Sequence, residues 1–287
     1  MKPVDFLGLG AQKAGTSWIH ACLYEHPQIA MPATKEVHFF SNHYAKGLSW
    51  YARQFPAGLT DQVMGEFSPS YFYHPDAPKR IYDYNPQVKL IICLREPVGR
   101  TLSAYRYAVQ TGAIPPTMSL DTIIQTYPAY VEHSLYYGQI QRYLNYFKRE
   151  QLLMMLYEDI ASEPFRFMRD IYQFMGVDPS FRSSIANRKV NVSRGVPRVG
   201  AVDNLMKQAA IGLRKAGLGH LVWKLGPSRP VEAIRWLNTR PIAAPSLSAQ
   251  QKTDLQRRFE PDIGALSELL QRDLRKLWFS DVPLLSS

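Results

Sequence analysis

The feature that most constrains this chain lies near its start. An apolar run enters a glycine-rich joint and leaves it as a helix: Phe6-Leu-Gly-Leu-Gly10-Ala-Gln-Lys13-Ala-Gly15-Thr16-Ser17-Trp18. Val4–Leu9 reads as a strand and Thr16–Tyr24 as the helix that follows it. That order gathers backbone N–H groups and a helix N-terminus around one spot, where an anion is stabilised, and Lys13 adds a full positive charge. The nucleoside-triphosphate loop G-x-x-x-x-G-K-[ST] is matched in its glycine spacing by Gly10 and Gly15. Thr16, however, stands where that pattern needs lysine, and Lys13 comes two residues before the second glycine. Two readings stay open: a phosphate loop of another kind, or a tight turn with a solvated lysine.

The same alternation continues through the first half. Gln62–Phe67, Lys89–Leu94 and Gln151–Tyr157 read as strands, and Pro75–Tyr84, Pro97 to about Gln110 and Pro164–Met175 read as helices. Strands alternating with helices predict an α/β fold, a three-layer sandwich with a central parallel sheet and a P-loop-like phosphate-binding loop. Ligands of such sheets bind outside the carboxyl ends of the strands. We expect one domain over residues 1–287, with a basic excursion at about 194–245 and C-terminal helices over 247–278. Ser248-Ala-Gln-Gln251 has the form of a capping box that opens the first of these helices. Pro261 is expected to interrupt it, after which Ile263, Leu266, Leu269, Leu270, Leu274 and Leu277 repeat at helical spacing and should dock on the core.

Composition narrows the partners. With 287 residues, 46% hydrophobic and 20% charged, the chain is neither a disordered tail, a collagen-like repeat nor a disulfide scaffold. Its net charge of +10 calls for anions: nucleic acid, a membrane surface, or phosphorylated or sulfated molecules. Basic residues do not alternate with aromatics in an RNA-binding motif, so nucleic acid is not expected. The 194–245 segment holds nine Lys and Arg against two Asp and Glu. It reads as a lid, as a solvated face, or as a patch in weak contact with an anionic membrane. The absence of a run of four basic residues weakens the last of these. Cys22 and Cys93 show no metal spacing, and no signal-peptide core or 18-residue apolar stretch occurs, so a cytoplasmic setting is expected.

A second anion site is suggested by Leu94-Arg95-Glu96-Pro97, where a strand ends on a cation, with Ser103 two turns into the next helix. A Mg-nucleotide enzyme needs a carboxylate at a strand end to hold the metal. Arg95 suits a phosphate bound without metal, although Glu96 could reach one. A Mg-ATP-dependent small-molecule kinase and a non-catalytic nucleotide-binding module are the competing readings.

Taken together, these motifs resemble the sulfotransferases that use 3′-phosphoadenosine 5′-phosphosulfate (PAPS), including bacterial members. Gly10-Ala-Gln-Lys-Ala-Gly-Thr-Ser-Trp18 is similar to their 5′-phosphosulfate loop, and Leu94 to Tyr105 to their 3′-phosphate motif. His26-Pro27, Lys35-Glu-Val-His-Phe-Phe40, Glu66-Phe-Ser-Pro-Ser-Tyr-Phe72 and Ser134-Leu-Tyr-Tyr-Gly138 resemble, in order and spacing, the glycan-modifying branch that includes the heparan sulfate enzymes. The resemblance implies that Lys13, Ala14, Gly15, Thr16, Ser17 and Trp18 hold the 5′-phosphosulfate. It implies that Arg95 and Ser103 hold the 3′-phosphate, and that Lys189 and Asn191 belong to a C-terminal nucleotide loop. The donor is then PAPS, the product 3′-phosphoadenosine 5′-phosphate (PAP), and no metal is required.

The resemblance also implies that Glu36 is the base which takes the proton of an acceptor hydroxyl, less readily an amine, while Lys13 offsets charge on the leaving phosphate. His38 lies two residues on and either orients Glu36 or is itself the base. A carboxylate simply paired with Lys35, and a hydrogen-bonded core histidine, are the plain alternatives. The glycan enzymes usually carry Glu-Lys where this chain has Glu66-Phe67. Phe67 with Tyr71, Phe72 and Tyr73 then forms either core or an apolar acceptor wall, joined by Tyr136 and Tyr137. A glycan, a lipid or a small-molecule alcohol would fit such a site.

Overall fold

The computed structural model describes residues 2–57, 61–115, 117–187, 196–197, 200–215, 228–240 and 247–279, with residues 218, 222 and 225. Lys189 and Asn191 lie outside the described residues. β1 (Phe6–Gly10) leads into α1 (Thr16–Tyr24) and the short strand β2 (Ile29–Ala30). Two short helices follow, α2 (Phe39–Asn42) and α3 (Leu48–Ala52), then β3 (Val63–Phe67), α4 (Ser70–Tyr73) and α5 (Ala77–Tyr84). Next come β4 (Lys89–Leu94), α6 (Pro97–Gln110), α7 (Leu120–Thr126), α8 (Ala129–Glu132) and α9 (Tyr136–Leu144). β5 (Leu152–Leu156), α10 (Tyr157–Ser162) and α11 (Pro164–Met175) complete the sheet region.

The five strands form one parallel sheet in the order β2-β3-β1-β4-β5. β1 is central and buried along its whole length, as an apolar run must be when helices cover both faces of a sheet. The expected strands are all present, with ends shifted by at most two residues, and β4 falls where Lys89–Leu94 was expected. The two residues of β2 give too short a pattern to be read from sequence. α6 begins as its sequence requires: Pro97 occupies the first turn, and both oxygens of Glu96 cap the free amides of Val98 (2.8 Å) and Gly99 (2.5 Å).

The C-terminal helices depart from expectation at two points. Pro261 sits inside the helix Ala249–Leu270 without ending it. Leu255 and Phe259 before it, and Ile263 and Leu266 after it, are all buried, so a single apolar stripe docks across the proline. That burial outweighs the lost backbone bond, a cost of about 3 kcal/mol. The capping box is present, Ser248 Oγ accepting from Gln251 N–H at 3.1 Å and Gln251 Oε1 from Ser248 N–H at 3.0 Å. The leucine repeat is not one helix: Gln271, at φ 50°, turns the chain into a second helix, Leu274–Trp278, capped by Asp273. The long helix packs on α6 and α9, and Arg272 clamps Asp159 through two bonds of 2.6 and 2.8 Å. Within the basic segment, helices run over Gly200–Lys215 and Arg229–Leu237. Among the described residues no helix is long and apolar enough to cross a membrane.

Candidate active site

The five parallel strands deliver their carboxyl ends to one edge of the sheet, and the singled-out residues follow from them. After β1 the loop runs to Gly15, whose φ of 81° turns the chain into α1. Ala11 N–H donates to the Cys93 carbonyl at 2.7 Å, tying the loop to β4. The amides of Gly15, Thr16 and Ser17 head the helix, where backbone donors lack intrahelical partners. Lys13 lies over the ring of Tyr107, 3.7 Å from its centre. Burial, together with the nearby cations Lys35, Arg95 and Arg100, lowers its pKa to about 8 against the opposing pull of Glu36.

Arg95 follows β4 and is held from three sides. Its Nη1 donates to the Lys13 carbonyl at 3.1 Å, its guanidinium lies 4.7 Å from the centre of the Tyr157 ring, and its own carbonyl accepts from Tyr136 OH at 2.8 Å. Ser103 is half-buried on α6. Tyr107 lies one helical turn beyond it on the same face; this i, i+4 spacing was the sequence signal that could have revealed it. Arg100 is fully buried, bonded to Ser134 Oγ and to the Tyr130 carbonyl, and it fixes α6 against the segment before α9.

Glu36 and His38 stand on a corner before α2 in which both residues take left-handed backbone angles, φ 64° and 54°. Glu36 Oε1 accepts from Lys35 Nζ at 2.5 Å, and Oε2 lies 3.3 Å from His38 Nε2. Burial pushes the Glu36 carboxyl up, but the bonds from His38 and Lys35 and their charges outweigh it and hold the group at about 2. The pairing with Lys35 is therefore real, yet it is not a solvated surface pair, since the Lys35 side chain is only 10% exposed. His38 Nδ1 lies 2.7 Å from Ser70 Oγ, which is in turn 2.8 Å from Ser41 Oγ. Beside this corner Tyr73 stacks on His133 at 3.8 Å, with Arg142 donating to the Tyr73 carbonyl. The charge of Glu36 helps to raise the Tyr73 phenol pKa, after burial.

Several expectations are corrected. The apolar wall does not exist as such: Phe67, Tyr71 and Tyr136 are fully buried, and Phe72 nearly so. Phe67 fills the space above Gly8, where a Cβ would come within 2.1 Å of its ring, and it belongs to the core. Glu66 offers no oxygen to an acceptor, because Ser68 and Tyr71 occupy both. Tyr137 remains half-buried, its N–H held with that of Tyr136 by Asp262 of the C-terminal helix. The Trp18 ring packs edge-on to Phe167 and its backbone N–H donates to the Gly15 carbonyl, so it anchors α1 rather than reaching the loop's open side. Ala14 is likewise buried and donates to the Ala11 carbonyl. Glu96 spends both oxygens on its cap.

A glycine-rich loop closing on a helix N-terminus, with a lysine inside it and an arginine at the end of the adjacent strand β4, gives this α/β fold two cationic spots at one sheet edge. Residues 3–210 match the family described as the sulfotransferase domain, and the chain belongs to that family, whose members take the sulfuryl group from PAPS. Mouse heparan sulfate glucosamine 3-O-sulfotransferase 5 is 33% identical over 203 residues, covering 65% of this chain and 57% of the relative. Mouse bifunctional heparan sulfate N-deacetylase/N-sulfotransferase 4 is 32% identical over 207 residues, covering 63% of this chain and 23% of the relative. The chain thus spans little more than half the length of the first of these. The crystal structure of a sulfotransferase from Alicyclobacillus acidocaldarius superposes with a TM-score of 0.68 at 25% identity, covering 97% of this chain and all of the other.

Proposed function

We propose that this chain transfers a sulfuryl group from PAPS to a hydroxyl of a glycan, with Glu36 as the base. The observation that carries the reading is the grip of Lys35 and His38 on Glu36, within the electrostatic reach of Lys13. A carboxylate held at about 2 is ionised throughout the neutral range and so carries no proton of its own; its strength as a base rises as the acceptor hydroxyl displaces part of the grip of Lys35 and His38. The donor supplies a sulfur whose bond to the bridging phosphate oxygen breaks as the acceptor oxygen bonds to it. The acceptor proton passes to Glu36, and the released phosphate carries the extra negative charge.

Lys13 and the amides of Gly15, Thr16 and Ser17 would hold the 5′-phosphosulfate and offset that charge, which is the largest service an enzyme renders to such a transfer. Arg95 and Ser103 would hold the 3′-phosphate. The donor set fits this group: one lysine, one arginine, a hydroxyl and free amides, the combination that two separate anions need. The glycan acceptor is supported by the named activities of the curated relatives and by the Tyr73–His133 stack beside Glu36, a flat aromatic face of the kind on which sugar rings lie.

The test is Glu36→Gln. PAP should bind by calorimetry as it does to the unaltered chain, while transfer from PAPS to a heparan sulfate acceptor falls by about 100-fold or more. Full turnover in that variant would remove Glu36 as the base.

A further inference from the structure

Glu66 is fully buried on β3, yet its carboxylate is not isolated. Ser68 OH donates to Oε2 at 2.7 Å and Tyr71 OH donates to Oε1 at 2.5 Å. Each of these hydroxyls has a second task. Ser68 Oγ accepts from the N–H of His38 at 2.9 Å, and Tyr71 OH accepts from the N–H of Phe39 at 2.8 Å. Two parallel relays therefore run from one carboxylate to two consecutive amides, and those amides close the left-handed corner that presents Glu36 and His38. A left-handed backbone at a non-glycine residue is strained and persists where its surroundings over-determine it.

We infer that Glu66 is a positioning residue for sulfuryl transfer: through Ser68 and Tyr71 it orients two hydroxyls so that their lone pairs lock the amides of His38 and Phe39. The inference rests on the reading of that corner as the proton-accepting site. A hydroxyl has one hydrogen. When the ionised carboxylate takes that hydrogen from both Ser68 and Tyr71, each oxygen is free to accept the backbone N–H. Once Glu66 is protonated it becomes a donor on one oxygen. The hydroxyl facing that oxygen must then accept from two donors while its own hydrogen loses the charged acceptor that oriented it, so that relay is weakened.

Burial raises the Glu66 pKa to about 7, against the lowering by Tyr71, Ser68 and His38, with Glu36 adding to the rise. The titratable groups facing it are Tyr71 from α4, Tyr51 from α3, and Glu36 and His38 from the corner. Tyr51 OH is buried close to the Glu66 carboxylate, whose charge adds to burial in raising its pKa, and the Tyr84 ring of α5 packs edge-on against Tyr51. As pH falls through about 7, Glu66 takes up a proton and the corner loosens, so turnover should fall on the acid side.

The test compares Glu66→Gln, Ser68→Ala and Tyr71→Phe with the unaltered chain. The readouts are kcat against pH for transfer from PAPS to heparan sulfate, PAP affinity, and hydrogen-exchange protection of the His38 and Phe39 amides. Expected for Glu66→Gln are a kcat lower by roughly 10–100-fold at pH 8, unchanged PAP affinity, and loss of the acid-side step near 7. The unaltered chain should lose protection at the His38 or the Phe39 amide, whichever relay faces the protonated oxygen, below pH 7, with the β1 amides unaffected. A step that persists in Glu66→Gln belongs to another group and overturns the inference, as does full kcat in that variant. Should Glu66→Gln fail to fold, the two single-relay variants decide. Lower kcat, with protection lost at His38 in Ser68→Ala and at Phe39 in Tyr71→Phe, supports the inference; full kcat in both overturns it. The base reading fails separately, through full turnover in Glu36→Gln, and the exchange result then reads on His38, which the same relays hold.

Discussion

Arg95 donates a hydrogen bond to the carbonyl of Lys13 at 3.1 Å, so the proposed 3′-phosphate cation braces the loop proposed for the 5′-phosphosulfate. The two anion sites are mechanically one. Arg95→Ala should therefore cost more than a single phosphate contact, because the loop also loses its brace. A charge-assisted hydrogen bond contributes about 1.5–3 kcal/mol, or roughly 10–100-fold in affinity. Calorimetric titration with PAP should show at least that loss, while ATP with Mg²⁺ remains the weaker ligand for both proteins. Tighter binding of Mg-ATP than of PAP would return the chain to the kinases.

The lowered Lys13 pKa gives donor binding a pH signature. With the group at about 8, part of the free protein carries a neutral lysine at pH 8, and most of it does so above pH 9. An anion in the loop favours the charged form, so binding there must take up a proton. PAP affinity should accordingly weaken as pH rises through about 8 and level off below it. Titrations at pH 8 in buffers of different ionisation enthalpy would register the uptake as a buffer-dependent heat, absent in Lys13→Met. The stability sign also follows: folding lowers this pKa, so Lys13 opposes folding below about 8, and the penalty is relieved as pH rises from 8 towards 10.5.

Phe67 and Gly8 face each other across β3 and β1, and the ring takes the space that any Cβ at position 8 would need. Phe67→Ala should destabilise by about 3–5 kcal/mol through the lost burial and the cavity left behind. Gly8→Ala should destabilise by a comparable amount, from overpacking against the ring and the adjacent strands. Denaturant unfolding of both single variants and the double would show strong non-additivity, since the smaller residue at 67 makes room for the methyl at 8.

What the sequence disclosed and what it hid divide along physical lines. β4 and α1 were legible because an apolar run of five and a glycine-to-helix joint encode themselves locally. The loop lysine and the Arg95 strand end were legible for the same reason. Phe67 was not: an aromatic at the end of a strand looks alike whether it faces a cleft or a glycine on the neighbouring strand, and the partner, Gly8, is 59 residues away. Glu66 hid similarly, since the hydroxyls that occupy it follow within five residues but the amides they serve lie on a distant corner. Pro261 misled because local propensity argues for a break that the docked stripe overrides.

Gly15 tests the coupling between loop and sheet edge most sharply. At φ 81° an alanine is strained whatever the space around it, and its Cβ would come within 2.9 Å of both Tyr157 Cδ2 and Ile160 Cδ1. Tyr157 is also the ring against which Arg95 lies. Gly15→Ala should therefore act twice, by distorting the amides that head α1 and by pushing Tyr157 into Arg95. We expect a stability loss of about 1–3 kcal/mol and a larger relative loss in PAP affinity. Tyr157→Leu alone removes the cation–ring contact, worth about 0.5–1 kcal/mol. If the ring transmits the strain, Gly15→Ala should weaken PAP binding less in the Tyr157→Leu background than in the unaltered chain. Additive losses would show that the backbone angle alone is responsible.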